Sequence, residues 1–98
     1  MPIVQIEHQV ADFDRWKQAF DSDPVHREAS GVRRYRILRP VDDPSYVAVD
    51  LEFDDASLAE AFRGALENLW RTPQAAAAMG HGASPRARIV ETAESVEY

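Results

Sequence analysis

The chain has 98 residues, room for one domain spanning 1–98, and its 45% hydrophobic and 29% charged content argues against disorder. The absence of cysteine excludes disulfides, thiolate metal sites and thiol nucleophiles. A net charge of -6 argues against a dedicated nucleic-acid binder. No run approaches the ~18 apolar residues of a membrane span. MPIVQIEHQV lacks a signal peptide's basic start and long apolar core, so a cytoplasmic protein is expected.

Period-2 alternation predicts a first strand from Ile3 to Val10, with Val4, Ile6, His8 and Val10 on one face. Asp12 is placed to cap a helix whose Phe13, Trp16 and Phe20 follow helical spacing. Asp23-Pro24 is read as the start of a short helix ending at Gly31. A second strand runs from Val32 to Arg39 and stops against Pro40, and the turn composition VDDPS leads into a third, Tyr46 to Phe53. Ser57 and Glu60 have capping-box spacing ahead of a helix with Leu58, Phe62, Leu66 and Leu69 on one stripe. Thr72-Pro73 opens a further short helix that ends at Gly80, and a weaker strand covers Arg86 to Glu94.

Two β-α-β halves joined by a hairpin make an α+β, ferredoxin-like βαββαβ chain: a four-stranded antiparallel sheet with helices on one face. Strands one and three are expected at the centre, two and four at the edges. The helix-facing side then carries Val4, Ile6, Val10, Val47, Val49, Leu51 and Phe53, joined by Tyr35 and Ile37. The opposite side carries Gln5, Glu7, Gln9, Asp50, Glu52, Arg34 and Arg36. From the residues alone that second face reads equally as a solvated surface with cross-strand ion pairs or as a self-complementary dimer interface.

The stretches IEHQVADFDRWKQAFDSDP, SGVRRYRILRPVDDPSYVAVDLEFD and AEAFRGALENLW resemble a cyclase-labelled family of small proteins in the dimeric α/β-barrel superfamily, over nearly the whole chain. Antibiotic-biosynthesis monooxygenases are more distant relatives. The resemblance implies a homodimer packed sheet against sheet. It also implies a small-molecule-binding protein, monooxygenase- or cyclase-like and working without a cofactor on an aromatic or polyketide-like compound. Superfamily members that oxygenate without a cofactor are known for Asn, Tyr and Trp near the substrate. Here the only Asn is Asn68, on the long second helix, which departs from that pattern.

His8 is the most informative residue, an imidazole among apolar neighbours on the core-facing side, suited to act as a general base near neutral pH. Tyr35 is expected on the same side as a positioning hydroxyl. Trp16 and Trp70 lie at or near the helices' apolar stripes, where they fill core or wall a flat substrate. His81, between Gly80 and Gly82, offers a loop imidazole. The three histidines show no metal-ligand spacing, so no metal is expected. Arginines 33, 34, 36 and 39 split between the faces of one strand beside several acids, which favours pairing over nucleic-acid binding. The competing reading is a non-enzymatic homodimeric module with a filled core, in which His8 and Tyr35 satisfy each other or the backbone.

Overall fold

A computed structural model describes residues 1–80 and 82–98. The elements, in chain order, are β1 (Pro2–Gln9), α1 (Phe13–Asp21), β2 (Arg34–Leu38), β3 (Tyr46–Glu52), α2 (Ala56–Trp70), α3 (Pro73–Met79) and β4 (Arg86–Glu91). The strands form one antiparallel sheet in the order β2-β3-β1-β4. This is the ferredoxin-like arrangement, with α3 added between α2 and β4.

The register explains which side chains meet the helices. Val4 stands opposite Leu51, Ile6 opposite Val49 and His8 opposite Val47. Alternation along each strand sends all six to one face. Those apolar residues, with Val10 and Phe53, are at most 5% exposed and form the core with Trp16, Phe62, Leu66 and Met79. On the other face three rows cross the sheet: Arg34–Glu52–Ile3–Val90, Arg36–Asp50–Gln5–Arg88 and Leu38–Ala48–Glu7–Arg86. Edge arginines pair with central acids at 3.6 Å (Arg34–Glu52), 3.3 Å (Arg36–Asp50) and 3.4 Å (Arg86–Glu7).

Asp12 caps α1 as its position suggests, its carboxylate accepting from the backbone N–H groups of Asp14 and Arg15. Three details differ from the sequence reading. The cap of α2 is Asp55, which accepts from Leu58 N–H at 2.9 Å, while Ser57 lies inside the helix. Both are good cap residues; the extended backbone after β3 ends at Asp55 (φ -143°, ψ 162°), which settles the choice. The segment after Pro24 is a series of turns, because Asp23 (φ 57°) and His26 (φ 51°) adopt left-handed backbone that no α-helix contains. β4 stops at Glu91, three residues short of Glu94, because its partner β1 begins at Pro2, opposite Glu91. No helix among the described residues is long and apolar enough to cross a membrane.

Candidate functional site

His8 is 3% exposed and is the buried polar residue of the core. It is there because strict alternation in β1 brings every even position inward. Its Nδ1 lies 2.9 Å from the carbonyl oxygen of Gln9. A carbonyl only accepts, so Nδ1 carries the proton and the neutral ring keeps its lone pair on Nε2. Burial lowers the pKa below the ordinary 6.5, with the backbone hydrogen bond opposing in part. At neutral pH the ring is therefore an uncharged base. Trp16 meets it edge to face, with centroids 5.6 Å apart and planes at 64°.

That imidazole faces a cavity of about 190 Å³ between the sheet and the helices, open on one side. Trp16 and Phe20 of α1 and Trp70 at the end of α2 wall it over a floor that includes Ile6 and Val49. Its polar or charged lining comes from His8, Ser22, Arg27 and Gln74. An apolar cavity with a few convergent polar groups is the usual make-up of a small-molecule site. The volume is below the ~300 Å³ at which such sites usually begin, and above the ~150 Å³ that holds one benzene.

The structure brings His8, Trp16 and Trp70 to one cavity, but not Tyr35. Tyr35 is opposite Leu51 in the register, two inward-facing rungs from His8 and on the edge strand. It is 43% exposed, it packs against Phe20 with centroids 5.2 Å apart, and the cavity lining does not include it. Of the two partners the sequence allowed His8, the backbone or Tyr35, the structure takes the backbone, at the Gln9 carbonyl. His81 lies outside the described residues. Arg39 stacks on Phe13 at 4.3 Å and Arg33 pairs with Asp54 at 3.7 Å, away from the outer face.

The polar lining residues Ser22, Arg27 and Gln74 were not singled out from the sequence, and the last two carried only faint signals there. Arg27 sits where a helix surface was expected; only the spacing of four from Asp23 hints at its ion pair. Gln74 is the one uncharged polar side chain in α3, PQAAAAM, and that isolation was its only signal. Among the described residues no three potential metal ligands cluster.

No family model matches the chain, and no curated protein matches it in sequence. Solved structures match in fold. SnoaB, a cofactor-independent oxygenase from Streptomyces nogalater, superposes with a TM-score of 0.75 at 10% identity, over 99% of this chain and 97% of that one. A dimeric ferredoxin-like protein from an uncultured marine organism gives a TM-score of 0.68 at 14% identity, over 97% of both chains. A variant of MhuD with two manganese protoporphyrin IX molecules bound per active site gives 0.63 at 18% identity, over 98% of this chain and 99% of that one. The cavity here is too small to enclose a whole porphyrin.

Proposed function

We propose that the chain binds a small planar, enolisable or phenolic ring in this cavity and removes a proton from it with His8. The observation that carries this reading is the uncharged imidazole, its tautomer set by Gln9, in an otherwise apolar cavity walled by two tryptophans. Substrate O–H or acidic C–H gives its proton to Nε2, leaving an imidazolium and a ring enolate or phenolate. In the oxygenase form of the reaction the enolate passes electrons to dioxygen: a ring methylene becomes a carbonyl, one oxygen atom enters the product and the other leaves as water. In the cyclase form the same enolate carbon attacks a carbonyl of its own chain, whose π bond opens to an alkoxide that takes the proton back from the imidazolium. The likeness in fold to a cofactor-independent oxygenase supports the first form. The cavity volume limits the buried part of the ligand to about one ring with a substituent, so a larger polyketide-like compound extends through the open side. The site works in a homodimer packed by the outer sheet faces.

The test is a set of phenols and cyclic 1,3-diketones, with binding read by tryptophan fluorescence and turnover by oxygen consumption and product mass. His8→Ala is expected to retain binding within a few-fold and to lose on the order of 10²-fold or more in kcat. His26→Asn, on the exposed turn, is expected to change neither. Unchanged kcat in His8→Ala removes His8 from the chemistry. One observation favours a second reading, a non-enzymatic homodimeric module: the cavity is smaller than ordinary ligand sites. That reading gains if no ring compound perturbs either tryptophan.

A further inference from the structure

We infer that the ligand of this cavity carries a carboxylate, seated on Arg27 at the cavity rim; the inference rests on the cavity reading above. Among the described residues no acidic side chain is in the lining, and Arg27 is its one cation. The guanidinium is held rather than loose. Its side chain is 14% exposed, and Nη1 donates to the carbonyl oxygen of Phe20 at 2.6 Å and lies 3.4 Å from the carboxylate of Asp23. That carboxylate also accepts the Arg27 backbone N–H at 2.9 Å, which ties the whole turn around this residue. The guanidinium carbon lies 3.9 Å over the Phe20 ring and 5.1 Å from the Tyr35 ring centre.

The side-chain contacts are all made by the guanidinium face and by Nη1. Among the described residues Nε and Nη2 have no hydrogen-bond acceptor, which leaves donors for an incoming anion. A guanidinium whose rotamer is already fixed loses little freedom when a carboxylate docks, and its fork of N–H groups matches two carboxylate oxygens. Phe20 lies beneath Arg27 and also lines the cavity beside Trp16, which in turn touches His8. A ring lying along Trp16 and Phe20 therefore has its base at one end and its anion clamp at the other. The ligand class this selects is a monocyclic aromatic or enolisable acid, a ring carboxylate with the acidic proton on the side away from the carboxyl group.

The experiment compares benzoate with benzamide, equal in shape and different in charge, by fluorescence of Trp16 and Trp70 at pH 7.5. The wild-type chain is expected to bind benzoate at least 5-fold more tightly. Arg27→Gln is expected to bring the two within 2-fold of each other without weakening benzamide. Arg27 also braces its turn, so Arg27→Lys, which keeps the charge and loses the fork, is run beside it; it is expected to retain part of the preference. Equal affinity for the two probes in the wild type, or a benzoate preference that survives in Arg27→Gln, overturns the assignment while leaving the cavity as a ring site. Failure of both probes to perturb either tryptophan overturns the cavity reading and this inference together.

Discussion

A single hydrogen bond determines what His8 can do. Donation from Nδ1 to the Gln9 carbonyl leaves Nε2 as the free base, and burial holds the ring neutral. The linkage follows from that direction. The unfolded chain takes up a proton near the ordinary 6.5 and the folded chain only at lower pH, so His8 favours folding above 6.5 and loses that contribution as pH falls through its lowered folded value. We expect the urea midpoint of the wild type to fall more steeply between pH 7 and 5 than that of His8→Gln. Parallel curves would show that His8 titrates freely. For catalysis the same direction means kcat/KM rises with pH along a limb whose midpoint lies below 6.5 and is flat at neutral pH, as a pH–rate profile will read. At this scale the sequence was informative about position and silent about partner. Alternation alone sends His8 inward, but nothing local distinguishes a bond to Gln9 from one to Tyr35. Tyr35 shares the inward face, yet an edge strand exposes its outermost side chains, and period-2 patterning carries no information about distance from the sheet's centre.

Where elements begin and end, local chemistry offered two answers and backbone geometry took one. Asp55 and Ser57 both suit a helix start, and the cap bond to Leu58 N–H selects Asp55. Asp55→Ala should lower stability by about 1 kcal/mol, and Ser57→Ala should be nearly neutral, measured by chemical denaturation. The reverse order would place the cap at Ser57. After α1, a proline beside an aspartate resembled a helix start, but the Asp23 carboxylate instead gathers the backbone and guanidinium of Arg27 into a turn. That turn, with left-handed backbone at Asp23 and His26 in place of a helix, is why the cavity rim was illegible in advance. The junction of α3 with the start of α1 is tighter. Gly80 has φ +100°, and a Cβ there would stand 2.6 Å from the Cβ of Ala11, whose own N–H donates to the Met79 carbonyl at 3.0 Å. Gly80→Ala is therefore expected to cost roughly 1–3 kcal/mol from clash and backbone strain together. Adding Ala11→Gly removes the 2.6 Å contact but leaves the residue 11 backbone nitrogen 3.2 Å away and the strain in place, so it should recover only part of the loss; full recovery would mean that φ at Gly80 is unstrained.

For the whole molecule, the outer sheet face decides the assembly. Its Arg34, Arg36, Asp50, Glu52, Gln5 and Glu7 were legible in the sequence from strand order and alternation; Arg86, Arg88 and Val90 were not, because the uneven alternation of the fourth strand left its register open, and neither was whether water or a second subunit covers the face. The rows put arginines at both edges and acids towards the middle, with Gln5 and the apolar Ile3, Leu38, Ala48 and Val90 completing them. An antiparallel sheet tolerates water on one face, so the rows alone do not demand a partner. A two-fold axis lying between two stacked faces and diagonal to the strands would bring the edge arginines of one protomer towards the central acids of the other, with apolar members meeting across it. Sedimentation velocity at micromolar protein is expected to show a dimer. Asp50→Arg, which leaves the middle row with arginines on three of its four strands, is expected to dissociate it by at least 10-fold in Kd. Arg36→Glu should weaken it for the matching reason. Combining Arg36→Glu with Asp50→Arg reverses both charges, which restores the pairing within the chain and between chains, so the dimer should return. A monomer in the wild type, or identical sedimentation of all four proteins, would make this face a solvated surface whose ion pairs serve the single chain.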